Sequence, residues 1–252
     1  MKILASDYDG TLNRGGIPDY VRDALARWRA AGHKFGIVSG RGIYNILAVV
    51  GRDGVECDFF VANNGAVIAD GAGRVLFSHT GDAGKAAVIA RFLIERGGAY
   101  ACLNDLVGDL FLCSDEEKLT RYAGDRRFCG LSDFSGDIAF TQISTICRDE
   151  PSALSLTEAL NDNFGECVTA FQNGVCIDIV PAGVNKARGV EELLSFYKAD
   201  REEVCTVGDN NNDLAMLEAF RSYAVENAIE RVKEVAGAVV PDLAALVERE
   251  MA

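Results

Sequence analysis

Residues 1–12 read MKILASDYDGTL, a short apolar stretch that runs into two carboxylates spaced two apart. The apolar residues predict a buried strand, and side chains two apart on a strand project to the same side. Asp7 and Asp9 therefore repel each other unless a cation or a proton lies between them. Gly10 permits a sharp backbone turn, and Thr11 offers a hydroxyl and a backbone N–H. This pattern indicates chemistry, with a turn or a helix cap as the alternative at this point.

The composition excludes several classes of protein. A chain of 252 residues forms one large domain or two small ones. Its net charge of −13 argues against a nucleic-acid partner, which requires a basic surface. The sequence contains no apolar run of about 18 residues, the length that predicts a membrane span, and Asp7 interrupts any apolar signal segment. We therefore expect a cytoplasmic protein with neither nucleic-acid nor membrane partners.

The cysteines and histidines do not predict a zinc site. None of the eight cysteines has CxxC spacing, and most lie within apolar runs. They are interpreted as small buried hydrophobic residues in a reducing compartment. Only two histidines are present, so a histidine-rich metal site is not expected either.

The two ends of the chain share one pattern, in which apolar strands alternate with amphipathic helices. Early in the chain the pattern predicts a helix over 18–31 and strands over 34–38 and 59–62. After Pro181 it predicts a helix from about Asn185. The elements predicted from there to the last residues are strands over 204–207 and 223–225 and helices over 228–235 and 243–249. Such alternation predicts a doubly wound, Rossmann-like parallel sheet, whose ligands bind at the carboxyl ends of the strands.

The middle of the chain has a different pattern, with hairpin-like strands mixed with helices. The predicted strands lie near 99–103, 109–113, 138–147, 168–171 and 175–180, with helices over 83–96 and 152–164. The sequence therefore predicts an α/β protein of two domains: a catalytic core of residues 1–80 and 181–252, and an inserted α+β domain of residues 81–180.

Four features fall at predicted strand ends or helix starts: the Asp7/Asp9 pair, Ser39, Lys186 and Asp209. Taken singly, Ser39 and Asp209 each have an alternative explanation as a helix cap. A lysine at a helix start is less easily explained, because the helix dipole favours anions there. Together the four features match the needs of phosphate chemistry.

A hard divalent cation such as Mg²⁺ prefers oxygen ligands, which Asp7, Asp209 and the backbone carbonyl of Asp9 supply. Lys186 and the Ser39 hydroxyl, with backbone N–H groups near Gly10 and Thr11, are expected to hold phosphoryl oxygens. Asp7 is then placed to attack phosphorus, and Asp9 to protonate the leaving alkoxide and afterwards to activate water.

The motifs resemble those of the haloacid dehalogenase superfamily in its phosphatase form. DYDGT at 7–11 is similar to the first motif, IVSGR at 37–41 to the second, Lys186 to the third and GDNNND at 208–213 to the fourth. The insert resembles the type 2 (C2B) cap of the Cof-like subgroup. Asp9 favours phosphate chemistry, since the dehalogenases of the superfamily lack the second acidic residue of the first motif.

The resemblance implies a role for each matching residue. Asp7 is the nucleophile, Asp9 is the general acid and base, and Mg²⁺ is held by Asp7, the Asp9 carbonyl and Asp209. The remaining implied site residues are Asp213, which supports the metal's ligands, and the phosphate-binding residues Thr11, Ser39, Gly40, Lys186 and Asn212.

The expected function is Mg²⁺-dependent hydrolysis of a small phosphorylated metabolite, such as a sugar phosphate. A phosphotransferase or phosphomutase of the same superfamily is one alternative, and a non-catalytic protein that binds phosphorylated metabolites is the other. Arg41 is predicted either to orient the loop or reach substrate, or to form a surface salt bridge. The Asn63 to Gly65 segment is interpreted as a turn. Candidates for selecting the leaving group are Asn104, Asp105, Arg126, Arg127 and Arg148.

Overall fold

The chain folds into two compact units, one formed by residues 1–78 and 185–252 and the other by residues 79–184. The structure, a computed structural model, describes residues 1–113, 127–134, 136 and 138–252. Arg126 lies outside the described residues. Each unit has its own sheet and its own hydrophobic core, so the two are described in turn.

The described strands and helices are numbered in chain order. The strands are β1 Ile3–Ser6, β2 Lys34–Val38, β3 Phe59–Ala62, β4 Val67–Asp70, β5 Val75–Ser78, β6 Ala101–Asn104, β7 Asp109–Cys113, β8 Arg127–Gly130, β9 Gln142–Ile146, β10 Val168–Asn173, β11 Cys176–Pro181, β12 Val204–Gly208, β13 Arg221–Val225 and β14 Ala238–Val240. The helices are α1 Asp19–Ala30, α2 Ile43–Arg52, α3 Ala83–Glu95, α4 Glu150–Phe164, α5 Lys186–Tyr197, α6 Leu214–Ala219, α7 Glu230–Val235 and α8 Leu243–Met251. Across the described ranges, no helix has both the length and the apolar character needed to cross a membrane.

The sheet of the first unit has the strand order β14-β13-β12-β1-β2-β3-β4-β5. The six strands from β14 to β3 are parallel, and β4 and β5 extend the sheet as antiparallel strands. The strands at its centre are buried along nearly their whole length, as expected for a sheet covered on both faces. The predicted fold class, a doubly wound α/β sheet, is confirmed.

The register of this sheet aligns the carboxyl ends of its central strands. Ser6, the last residue of β1, pairs with Val207 of β12 and with Ile37 of β2. Val38 of β2 pairs in turn with Val61 of β3. The loops that follow these four strands therefore begin at one edge of the sheet, where a doubly wound fold binds its ligands.

Apolar side chains cover both faces of the sheet. On one face α1 packs through Val21, Leu25 and Trp28, and the Trp28 indole N–H donates to the backbone oxygen of Lys34 at 2.8 Å. On the other face α5 packs through residues such as Val190 against the side chains of β1 and β3. Val21, Leu25 and Trp28 are spaced by four and three residues, the pattern that predicts α1 from the sequence.

The second unit contains a six-stranded sheet with the order β10-β11-β9-β6-β7-β8. Helices α3 and α4 share one hydrophobic cluster with alternate residues of the strands, for example Leu103, Ile143 and Ile177. Because side chains alternate along a strand, both helices cover the same face of this sheet. The unit is therefore α+β in architecture, whereas its role as a cap that selects the substrate stays a prediction.

Several elements differ from the sequence-based expectation. Helix α2, the β4–β5 hairpin, β8 and β14 were not predicted, and the strand expected near 138–147 spans only Gln142–Ile146. The helix expected from residue 228 begins at Glu230, because Ile229 is extended and serves as its N-cap. Of the four missed strands, β5, β8 and β14 each form an edge of a sheet, where partial burial provides little apolar pattern, and β4 lies next to such an edge.

Glu250, on the last helix, anchors that helix to the sheet through its buried carboxylate. Its carboxylate accepts hydrogen bonds from Tyr223, from Lys2 at 3.1 Å and from Arg221 at 2.9 Å. Burial opposes the charge of Glu250, but the hydrogen bonds from Tyr223 and Lys2 and the Arg221 charge lower its pKa to about 2. Because the folded pKa lies below the ordinary value of 4.5, this carboxylate stabilises the fold above that value.

Glu250→Gln is expected to lower the free energy of unfolding at neutral pH by about 2 kcal/mol, the value of hydrogen bonds to a charged group. The contribution is lost as the pH falls from 4.5 towards about 2, so the wild type and the variant converge in acid. Urea unfolding at several pH values measures this. Glu248→Gln, which changes an exposed carboxylate on the same helix, is the control. A loss that is independent of pH contradicts the assignment.

Candidate active site

Three carboxylates meet at the carboxyl edge of the parallel sheet. Asp7 follows β1, Asp209 follows the neighbouring strand β12, and Asp213 lies in the turn just beyond it. One oxygen from each of the three carboxylates lies within 4.8 Å of the other two. The parallel pairing of β1 and β12 brings the first two together, and a 3-10 turn over Asn211–Asp213 returns the third to them.

Lys186 places a buried ammonium group among these carboxylates. Its Nζ donates to Asp7 Oδ1 at 2.6 Å and to Asp213 Oδ1 at 2.5 Å, and the side chain is fully buried. The N-cap of α5 is Asn185, whose side chain accepts from the Arg188 backbone N–H at 2.9 Å. Burial opposes the charge on Lys186, but the two adjacent carboxylates raise its pKa above the ordinary value.

The Asp213 carboxylate accepts hydrogen bonds from its own loop as well as from Lys186. Its Oδ2 accepts from the backbone N–H groups of Asp209 at 2.9 Å and Asn210 at 3.0 Å. Gly208 allows this approach, since a Cβ there would lie 2.5 Å from the carboxyl carbon of Asp213. Asp213 thus fixes the loop that carries Asp209.

The loop after Asp7 is closely packed against Asp209. Thr11 donates its hydroxyl hydrogen to Asp209 Oδ1 at 2.7 Å. Gly10 has a φ of +86°, and a Cβ at this position would lie 2.4 Å from Asp209 Oδ2. Only glycine fits such a backbone conformation and such a close contact. The turn predicted from the sequence therefore packs directly against Asp209 of the acidic cluster.

When all three carboxylates are ionised, the cluster has more negative charge than Lys186 neutralises. Burial raises the pKa of Asp7 well above its ordinary value, and the charges of Asp213 and Asp209 raise it further, with Lys186 opposing them. Burial likewise raises the pKa of Asp209. Three carboxylates beside one ammonium group need a further cation or proton. Their hard oxygen donors suit Mg²⁺.

Asp9, the second acidic residue of the loop, makes a different contact. Its carboxylate accepts two hydrogen bonds from Arg41, from Nε to Oδ2 at 2.6 Å and from Nη2 to Oδ1 at 2.7 Å. The side chain of Asp9 is 51% exposed, in contrast to the buried Asp7. For Arg41, the structure therefore shows an ion pair with a residue of the first motif.

Ser39 and Gly40 follow β2 at the same edge of the sheet. The Ser39 side chain is buried, and its Oγ accepts from the Arg41 backbone N–H at 3.1 Å. The backbone oxygen of Ser39 accepts from Asn64 at 3.0 Å, which links this loop to the one after β3. Ser39 therefore shapes the loop that presents Arg41, and its contact with phosphate stays a prediction.

The segment interpreted as a turn from the sequence also contacts a predicted site residue. Asn63 and Asn64 are both buried, and both have a φ of +51°. The Asn64 Oδ1 accepts from Asn212 Nδ2 at 3.1 Å. A Cβ on Gly65 would lie 2.1 Å from the backbone oxygen of Asn185, so the turn packs directly on the start of α5. The sequence signal was an Asn-Gly pair at the end of a predicted strand.

Four of the five candidates for leaving-group selection are described, all within the second unit. Arg127 Nη2 donates to both carboxylate oxygens of Asp105 at 3.0 Å. Arg148 donates to the carboxylate of Asp149 at 2.9 Å, and Asn104 is buried. The Arg127 contact links β8 to the turn after β6, and a role of these residues in selecting substrate stays a prediction.

A family model for haloacid dehalogenase-like hydrolases matches residues 4–244, nearly the whole chain. The chain belongs to this family. It is 26% identical over 237 residues to a 5-amino-6-(5-phospho-D-ribitylamino)uracil phosphatase of Escherichia coli, covering 90% of this chain and 86% of the relative. It is also 26% identical over 243 residues to a phosphoglycolate phosphatase of Pyrobaculum aerophilum, covering 95% and 89%.

The fold is shared with solved structures of the same superfamily. A subclass IIB sugar phosphatase superimposes with a TM-score of 0.81, at 20% identity, over 100% of this chain and 98% of its own. At this level of identity the likeness shows the fold alone. With the family match and the phosphatase relatives, it confirms the predicted superfamily, the Cof-like subgroup and the enzyme class, a phosphatase.

Proposed function

We propose that the chain is a Mg²⁺-dependent phosphatase that hydrolyses a small phosphate monoester through an aspartyl-phosphate on Asp7. The observation that carries this proposal is the buried Asp7 carboxylate, which contacts Lys186 and lies within a cluster of three carboxylates. A nucleophile beside a fixed cation and a candidate metal site is the arrangement that phosphoryl transfer requires.

Asp7, Asp209 and the backbone carbonyl of Asp9 are the proposed ligands of the ion, and Asp213 supports them by fixing the Asp209 loop. When bound, Mg²⁺ supplies the positive charge that allows a phosphate dianion to approach these carboxylates. The fit rests on the excess of negative charge in the cluster and on the raised pKa of Asp7 and Asp209, for which burial is the main cause.

The proposed reaction has two steps. In the first, an Asp7 oxygen attacks phosphorus, the bond from phosphorus to the ester oxygen breaks, and protonated Asp9 gives its proton to the leaving alkoxide. In the second, water attacks the aspartyl-phosphate, Asp9 takes a proton from that water, and the bond from phosphorus to Asp7 breaks. Asp7 is regenerated as a carboxylate, inorganic phosphate leaves, and Asp9 is again protonated for the next turnover.

The other predicted residues are assigned to the phosphoryl oxygens. Lys186 contributes its charge, Ser39 its hydroxyl and Asn212 its side-chain amide, with the Thr11 and Gly40 backbones completing the set. Their placement on loops after β1, β2 and β12 and at the start of α5 supports this assignment, because these elements begin or end at one edge of the sheet.

The proposed substrate is a sugar phosphate or a related small metabolite. The names of the relatives support this class, since one acts on a phosphoribityl compound and another on phosphoglycolate. The second unit, predicted as a cap over residues 81–180, is proposed to select the leaving group.

Removing the metal is expected to silence the enzyme. Phosphate release is measured from sugar phosphates, nucleotides and p-nitrophenyl phosphate, with Mg²⁺ and with EDTA. EDTA should reduce the rate by more than about 100-fold, since a metal contributes several kcal/mol to the stabilisation of the transition state, and Mg²⁺ should restore it.

Two further measurements sharpen this test. Mg²⁺ should raise the thermal midpoint of the wild type but not of Asp209→Asn, because a ligand that binds only the folded state stabilises it. Product analysis in the presence of free sugar separates hydrolysis from transfer. Full activity in EDTA, rescue by Zn²⁺ alone, or a phosphorylated acceptor in place of inorganic phosphate contradicts the proposal.

A further inference from the structure

The pair formed by Asp9 and Arg41 is a two-point contact between neighbouring loops. Arg41 offers two N–H donors, and each meets a different oxygen of the Asp9 carboxylate, at 2.6 and 2.7 Å. Such a fork fixes both the position and the direction of a carboxylate, whereas a lysine fixes only its distance. The two loops follow β1 and β2, which pair directly in the sheet.

Arg41 is itself held in place by its surroundings. Its Nη1 donates to Asn45 Oδ1 at 2.8 Å, and its guanidinium lies 5.8 Å from the centre of the Tyr8 ring. Its backbone N–H donates to Ser39 Oγ at 3.1 Å, and its backbone oxygen accepts from Asn63 at 2.9 Å. Neighbouring residues therefore hold both the side chain and the backbone of Arg41.

The Tyr8 ring beneath the guanidinium is also fixed. Tyr8 is buried, and its hydroxyl hydrogen is donated to Asp53 at the end of α2. Asn13 donates to the same Asp53 oxygen at 2.7 Å, and its own Oδ1 accepts from the backbone N–H of Gly16 at 2.9 Å. The loop that carries Asp9 is therefore tied down on both sides of that residue.

We propose that Arg41 is a positioning residue that holds the Asp9 carboxylate in the orientation needed to take a proton from the water that hydrolyses the aspartyl-phosphate. This inference rests on the proposed function. It concerns the second step of the reaction, in which Asp9 takes a proton from water, because the two donors of Arg41 fix the direction of both Asp9 oxygens.

The contacts favour this role over direct binding of phosphate. The Nε and Nη2 donors of Arg41 are directed at Asp9 and Nη1 is directed at Asn45, so its fork is already engaged. Lys186, by contrast, lies against the nucleophile itself. Arg41 thus acts through Asp9.

The test uses p-nitrophenyl phosphate, whose product is released when the aspartyl-phosphate forms. Arg41→Ala should lower kcat by on the order of 10-fold to 100-fold, a substantial part of a general-base contribution. The kcat/KM of the variant should stay within about threefold of the wild-type value, because kcat/KM reports the first step. KM should therefore fall together with kcat. A burst of one nitrophenol per enzyme should precede the slower steady state. Arg41→Lys should recover only part of the loss.

Two comparisons isolate the effect. Arg74→Ala removes a guanidinium that pairs with Asp70 at 2.7 Å in the β4–β5 turn, and it should change neither kcat nor the burst. In an Asp9→Asn background, adding Arg41→Ala should slow turnover by no more than about twofold, because two residues that act as a unit are not additive. Thermal unfolding of each variant confirms that it is folded.

The outcomes separate the possible roles. An equal fall in kcat and kcat/KM without a burst assigns Arg41 to phosphate binding and overturns the inference, and unchanged kinetics reduce the pair to a surface salt bridge. A wild-type enzyme that releases phosphate from no substrate contradicts the proposed function and this inference with it. If the wild-type enzyme is active but the Arg41→Ala variant shows no burst, this inference alone is contradicted.

Discussion

Asp7→Asn is expected to lose phosphate release by about 10⁴-fold or more, the scale seen when a covalent nucleophile is removed. An amide of the same size cannot form the acyl-phosphate, so the first step is blocked for every substrate, whatever its leaving group. Steady-state rates with a sugar phosphate and with p-nitrophenyl phosphate measure this.

The same variant should fold normally. Burial and the charges of Asp213 and Asp209 hold the pKa of Asp7 well above its ordinary value, although Lys186 opposes them. The charged side chain is thus unfavourable when no metal ion is bound, and Lys186 keeps Asp213 as its partner in the variant. In EDTA the thermal midpoint of Asp7→Asn should therefore equal or exceed that of the wild type. Asp23→Asn, at an exposed position on α1, is the control and should retain full activity. Substantial turnover by Asp7→Asn refutes the covalent route.

Lys186→Ala is expected to cost both stability and activity. The change leaves the buried carboxylates of Asp7 and Asp213 without their shared ammonium partner. Breaking a buried ion pair by removing one partner costs about 3–5 kcal/mol, because the remaining charge stays buried and unpaired. Urea unfolding in EDTA measures this loss.

The activity of Lys186→Ala should fall by at least about 10²-fold in kcat/KM, since the variant lacks a cation that stabilises the transferred phosphoryl group. Mg²⁺ should return part of the lost stability but not the lost rate, because the metal adds charge to the cluster without replacing the Lys186 contact. Lys85→Ala, which removes an exposed lysine from α3, is the matched control. A Lys186→Ala variant with wild-type kinetics removes this residue from the site.

The strand ends were the most predictable part of the site. In a parallel sheet the carboxyl ends of adjacent strands share one edge, so Asp7 and Asp209 could be placed together from the apolar runs that precede them. The register observed between β1 and β12 is the one this argument requires. Strongly buried strands and helices were also predictable, because their apolar residues recur at regular spacing in the sequence.

The contacts among the side chains could not be predicted in this way. The bond from Lys186 to Asp213 depends on a short 3-10 turn over Asn211–Asp213, and loop geometry of this kind leaves no periodic signal. The sequence assigned Lys186 to phosphate but did not reveal its contacts with the carboxylates of Asp7 and Asp213. The fork from Arg41 to Asp9 likewise depends on how two loops approach each other.

Helix α2 was missed even though its signal was present. Ile43, Ile46 and Val50 are buried at helical spacing, directly after the loop that contains Ser39. The β4–β5 hairpin was missed for a physical reason. Its second strand is an exposed edge, in which Val75 and Phe77 face solvent and no alternation marks the buried side.

The covalent bond between Asp7 and phosphorus is the central step of the proposed mechanism, and trapping that bond tests it directly. The enzyme is mixed with Mg²⁺ and p-nitrophenyl phosphate and quenched in acid within one turnover, and its peptides are analysed by mass spectrometry. We predict one acid-stable, hydroxylamine-sensitive phosphoryl group on the peptide that contains Asp7, absent from Asp7→Asn and retained longer in Arg41→Ala. A phosphoryl group on another residue, or rapid turnover with no phosphorylated peptide at any quench time, would contradict the covalent mechanism through Asp7.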